Sequence, residues 1–117
     1  MRVALTAALL APVVIFVQHA LRNRATCVIA DATVPATVTL TRRSSADAPY
    51  AATVTVRGRI DGRGALSLRG GTPTAIEGDV DVVLHKGDWY SNAIVVTYTP
   101  ESARGGRLRV VATFHTL

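Results

Sequence analysis

Between residues 75 and 99 the chain alternates. Ile76, Gly78, Val80, Val82 and Leu84 fall on one face of an extended segment, and Glu77, Asp79, Asp81, Val83 and His85 on the other. Successive side chains of a strand point to opposite sides, so a period of two marks a strand with one dry and one wet face. The pattern breaks at Lys86-Gly87-Asp88. It resumes with Ile94, Val96 and Tyr98 on one face of a segment rich in β-branched residues, which suit a pleated surface. This predicts two strands joined at Lys86-Gly87-Asp88, with the only tryptophan, Trp89, just past the turn.

The same register runs through the rest of the chain. Val34, Ala36, Val38 and Leu40 alternate with Pro35 and three threonines, and the proline suggests an edge strand or the start of one. Residues 42–49, R-R-S-S-A-D-A-P, read as a polar loop. Tyr50, Ala52, Val54, Val56, Gly58 and Ile60 then share a face, and Asp61-Gly62 is a hairpin signal because a type I′ turn needs positive φ at both central positions. Leu66 and Leu68 continue the inner face up to a second turn at Gly70-Gly71-Thr72-Pro73. Beyond a loop at residues 100–106, Leu108, Val110, Ala112 and Phe114 alternate with Arg107, Arg109, Thr113 and His115.

No helical period of useful length follows Arg24. Six or seven short strands at even spacing predict an all-β domain: a small antiparallel β-sandwich of immunoglobulin-like or related type. Its core is expected to contain Val54, Val56, Leu66, Val80, Val82, Ile94, Val96, Leu108 and Val110. The run W-Y-S-N-A-I-V-V-T-Y resembles the last strands of secreted pilin-type and immunoglobulin-like sandwiches, and no residue role is carried over from it.

The N-terminus is different. A charge-free run of fifteen residues, V-A-L-T-A-A-L-L-A-P-V-V-I-F-V, follows Met1-Arg2. A basic start and an apolar run of this length predict a signal peptide or a membrane anchor over residues 1–24, ahead of a β domain at 28–117. Cleavage is not decided by the sequence, because Gln18 stands where a small residue is preferred before Ala20. The expected location is therefore outside the cytoplasm: periplasmic, at the cell surface or membrane-anchored.

The net charge of +5 overstates the basicity of the domain. After Cys27, ten Lys and Arg stand against eight Asp and Glu, which leaves only about +2. With few aromatics for stacking on bases, no nucleic-acid partner is expected. The single Cys27 cannot form a disulfide within the chain and is a buried apolar residue, a free thiol or half of an intermolecular bridge.

Candidate chemistry is sparse. Glu77, Asp79 and Asp81 lie at i, i+2, i+4 on one strand face, where three carboxylates suit a hard cation. The reading preferred here is an ion-pair ladder with Arg57/Arg59 or Arg107/Arg109 across the sheet, and no metal is expected. Cys27, His85 and His115 lack zinc-like spacing. Neither a nucleophile elbow nor a phosphate loop is present, so no catalytic residue and no cofactor is expected.

The candidate binding residues are Trp89 and Tyr90 with Asp88 and Asn92 beside them, either as an exposed platform or with Trp89 capping the open end of the fold. The expectation is a non-catalytic structural or interaction module with a protein partner, touching a membrane only through its N-terminal segment. It would pair residues 34–40 or 108–114 with another chain. The alternative is a small-molecule or carbohydrate-binding domain that uses the Trp89-Tyr90 end.

Overall fold

The computed structural model describes residues 13–14, 18–20, 23–43, 47–69 and 71–116. Among them are eight strands: β1 (Val13–Val14), β2 (Gln18–Ala20), β3 (Arg24–Ile29), β4 (Ala36–Thr41), β5 (Pro49–Leu68), β6 (Thr74–Asp88), β7 (Ala93–Pro100) and β8 (Gly106–Thr116). They form one sheet in the order β1-β4-β7-β5-β8-β3-β2, with β6 paired to β5 alone. Pairing is antiparallel throughout except for the two-residue contact of β1 with β4. The expectation for residues 1–24 falls largely outside the described residues. Of that segment, the described Val13–Val14 and Gln18–Ala20 are strands of the same sheet, β1 beside β4 and β2 beside β3, so strand structure extends ahead of residue 28.

The geometry follows from β5. Its first part, from Pro49 to Ile60, pairs with β8, and its last part, from Gly64 to Leu68, pairs with β7. β6 runs beside both parts and ends with Asp88 opposite Ala51, while β7 begins after four intervening residues and pairs Val96 with Leu68. A straight strand would separate Ala51 from Leu68 by about 55 Å at roughly 3.3 Å per residue. The connection from Asp88 to Ala93 spans at most about 18 Å. β5 must therefore fold back on itself, and it does so where its register with β6 shifts between Ile60 and Arg63. The sheet thus curls into a nearly barrel-shaped wall around one core.

Asp61-Gly62 is consequently not a hairpin turn. Both residues lie inside β5 and form the extra, bulged pair at the bend, with Gly62 at φ 120°. Gly62 holds positive φ but Asp61 does not, so the type I′ geometry is not formed, and the flanking strands continue past the dipeptide. Lys86-Gly87-Asp88 is likewise the end of β6 rather than a turn; residues 89–92 make the connection. β6 and β7 do not pair with each other, since each lies on a different edge of β5. The true hairpin joins β5 to β6 through residues 69–73, where Gly71 N donates to Leu68 O at 2.7 Å.

At the bend two strands approach too closely for side chains. A Cβ on Gly58 would lie 2.2 Å from the Arg107 carbonyl oxygen, and one on Gly106 would lie 2.2 Å from that of Arg59. These two glycines face each other's strands diagonally across β5 and β8 and hold φ values of 152° and 123°. Only glycine fits both restrictions.

Inside the wall, Val54, Val56, Leu66, Val80, Ile94, Val96, Leu108 and Val110 are buried, as their register requires. Val82 is only half-buried against the core. Tyr50 is 46% exposed rather than inward, because a register shift between Pro49 and Ala51 turns it out of the inner face. Cys27 is buried in the core as a free thiol opposite Val110. Tyr98 is fully buried; its ring covers Gly64, and its hydroxyl donates to Ala32 O at 2.6 Å, fastening the β3–β4 connection to β7. Among the described residues no helix is long and apolar enough to cross a membrane.

Core substitutions should separate by burial. Ile94→Ala is expected to cost about 2–4 kcal/mol through lost burial and a cavity, and Val82→Ala clearly less, as read by chemical denaturation. Gly106→Ala should be at least as damaging as Ile94→Ala, because the obstruction is backbone. Burial also pushes both the Cys27 thiol and the Tyr98 hydroxyl above their ordinary values, the latter with help from the Asp31 carboxylate. Groups raised on folding stabilise fully below their unfolded pKa and lose that contribution as pH rises through the folded one. Stability should therefore decline on the alkaline side, beginning near the ordinary thiol value of about 8.5. Cys27→Ala should remove the first part of that decline.

Candidate functional site

The four expected site residues fall in or beside one connection, residues 89–92 between β6 and β7, which closes one end of the barrel. Trp89 is half-buried and packs against the core. Its indole N–H donates to Ala93 O at 3.1 Å and its backbone N–H to Tyr50 O at 3.2 Å. The His85 ring meets it edge-on, with centroids 5.2 Å apart and planes at 69°. Its polar atom is satisfied within the chain and much of its surface is covered, so Trp89 is a lid on the core.

Tyr90, by contrast, is 71% exposed. Asp88 is exposed at the end of β6, and its carbonyl lies 3.1 Å from His85 Nε2. Asn92 is not a free polar group: its side-chain oxygen and its carbonyl accept from Arg42 Nε at 2.7 Å and Arg42 N at 3.0 Å.

Arg42 is the residue this end is built on. Its side chain is entirely buried, although residues 42–49 read as a polar loop. Beyond the two bonds to Asn92, Nη1 donates to Asn23 Oδ1 at 2.9 Å, while Nη2 donates to the Asp47 carbonyl and lies 3.7 Å from the Asp47 carboxylate. One guanidinium thus ties together the chain before β3, the β4–β5 connection and the β6–β7 connection. A buried charge persists only when it is paired and its donors are satisfied, and here the planar fork of arginine reaches three segments at once. The signal was present in the register: Ala36, Val38, Leu40 and Arg42 share one parity, so Arg42 extends the inner face of β4.

The other candidate groups are dispersed. Arg57–Asp81 at 3.2 Å, Arg59–Asp79 at 2.7 Å and Arg63–Glu77 at 3.7 Å form the expected ladder between β5 and β6, directly opposite in register. These side chains are all more than 60% exposed, so each pair contributes little, and salt screens it. His115 Nε2 lies 3.2 Å from Thr53 Oγ1, His85 contacts Trp89, and Cys27 is in the core. Among the described residues no three His, Cys, Asp or Glu side chains come together.

Two substitutions distinguish the plug from the surface. Arg42→Met should cost about 2–4 kcal/mol, because the amide and carbonyl acceptors lose their buried donor. Tyr90→Ala should stay within about 0.5 kcal/mol. Thermal and denaturant melts of both variants check this. Cys27 should resist iodoacetamide in the folded protein and react once it is unfolded, because burial keeps the thiol both protonated and out of reach.

No family model matches the chain, and no curated protein matches it. Among solved structures, a crystal structure of PirA is similar with a TM-score of 0.46 and 10% identity, covering 86% of this chain and 100% of that one.

Proposed function

We propose that the chain is a non-catalytic interaction module, exported or held at a membrane by its N-terminal apolar segment, that works through a free strand edge. The observation that carries this is the pairing of β6. Over fifteen residues it bonds to β5 alone among the described residues, and its other edge has no strand beside it. An open edge of this length offers unpaired N–H and C=O groups to an added strand. Val83 on the same strand is 59% exposed.

Of the strands expected to serve this purpose, β8 is paired on both edges, while among the described residues β4 meets β1 only at Ala36 and Thr37. β8 lies between β5 and β3, and β4 between β7 and β1. The fold-back of β5 supports a sandwich of immunoglobulin-like or related type, with β5 and β6 crossing from one layer to the other. A second reading, as a small-molecule or carbohydrate-binding domain, is favoured only by the exposure of Tyr90 and of Tyr50, whose carbonyl accepts from the neighbouring Trp89 N–H.

The test uses the full-length chain in cells, with a photo-crosslinking residue at Val83 or at Tyr90, followed by fractionation. The reading expects the chain outside the soluble cytoplasm and a discrete cross-linked protein from Val83, reduced by Val82→Pro. Accumulation in the soluble cytoplasm, or capture from Tyr90 alone, would sink it.

A further inference from the structure

The outer face of β3, β8 and β5 carries an arrangement that nothing among the described residues accounts for. Arg57 stands directly opposite Arg109 across β5 and β8, and Arg59 stands directly opposite Arg107. Like charges in directly facing positions oppose the pairing of their strands. Asp81 and Asp79 on β6 engage Arg57 and Arg59, but from the far side. Among the described residues no ion pair or side-chain hydrogen bond reaches Arg107, Arg109 or Arg24, and all three are exposed.

Arg24, Arg57 and Arg109 bracket a shallow groove of about 420 Å³ with a floor of Thr55, Val111 and Thr113. Arg24 aligns with Thr113 on β8, so along that strand the outward positions run Arg107, Arg109, Val111 and then the Thr113–Arg24 row.

We propose that this face binds an extended acidic segment of a partner protein, with carboxylates at positions i, i+2 and i+6 and an apolar residue at i+4. The spacing carries the argument. Alternate residues of an extended chain lie about 6.7 Å apart, the same step that separates successive outward rows of β8. Acids at i and i+2 meet Arg107 and Arg109, the apolar residue at i+4 covers Val111, and the acid at i+6 reaches Arg24. The molecule already holds one example of the pairing: Asp79 and Asp81, two residues apart on β6, engage Arg59 and Arg57 of the same two rows.

The arginine fork matches a carboxylate with two parallel hydrogen bonds. A single-stranded nucleic acid offers anions at a similar pitch but also bases, and among the described residues no aromatic side chain lines the groove. This surface is separate from the β6 edge, and the inference stands whether or not that edge is used.

Fluorescence polarisation on the full chain tests it with a peptide carrying Asp at positions 1, 3 and 7 and Val at 5, against an isomer with the three aspartates consecutive. The spaced peptide should bind about tenfold tighter than the isomer, equivalent to about 1.4 kcal/mol. Arg109→Gln should abolish that preference without lowering the melting temperature, since it relieves the repulsion with Arg57. Arg109→Lys, which keeps the charge and loses the fork, should reduce it, and the remote Arg69→Gln should leave it unchanged. Equal binding of the two peptides, equally tight binding of a short oligothymidylate, or an unchanged preference in Arg109→Gln would each overturn the proposal.

Discussion

The fold depends on one close approach of two backbones. β5 can serve both β8 and β7 only because it turns through Asp61-Gly62, and the turn is held by Gly58 and Gly106 lying against each other's strands. Any side chain at either position would clash at 2.2 Å with a carbonyl oxygen, and that oxygen belongs to a sheet ladder that cannot yield. Everything downstream inherits this corner. It brings the end of β6 within reach of the start of β7, it allows a four-residue connection to cap the barrel, and it turns the even face of both halves of β5 toward the same core.

The opposite end is closed by a different device. Valine, leucine and alanine can line a wall but cannot bridge three loops, because loops present polar backbone that must be satisfied. Arg42 does this with directed hydrogen bonds from a single buried side chain, and Trp89 beside it supplies the apolar cover. The charge stabilises the end only while every donor has a partner. The loops are thereby fixed relative to one another, and Tyr90 and Tyr50 are left as exposed aromatic groups at that end.

Much of the core was legible because a period of two has only one alternative, and a slip of one residue would turn every strand inside out. Val54, Val56, Leu66, Val80, Ile94, Val96, Leu108 and Val110 are buried on that basis, with Val82 half-buried. Connectivity was less legible. Asp61-Gly62 states a local backbone preference, and a bulged corner requires the same preference as a hairpin; only long-range pairing distinguishes them. Lys86-Gly87-Asp88 misleads for the same reason. Arg42 was hidden by residue type: its parity placed it inside, yet an arginine beside Arg43 and two serines reads as solvated loop.

Net charge conceals most of all. A domain with about two excess positive charges has no strong field as a whole, and composition alone therefore argues against an anionic partner. Register reverses that conclusion locally. Alternation puts Arg57, Arg59, Arg107, Arg109 and Arg24 on one outer face, against only Asp79 and Asp81 on the neighbouring strand. Glu77 pairs with Arg63 beyond the bend, Asp61 lies near Arg104, and Asp47 is spent on Arg42. The acids that balance the count are thus placed where they cannot balance the face. Two facing arginine pairs weaken the β5–β8 ladder that carries the core, and a sequence free to place threonine there, as it does at Thr53, Thr55 and Thr113, would hold that ladder with less strain.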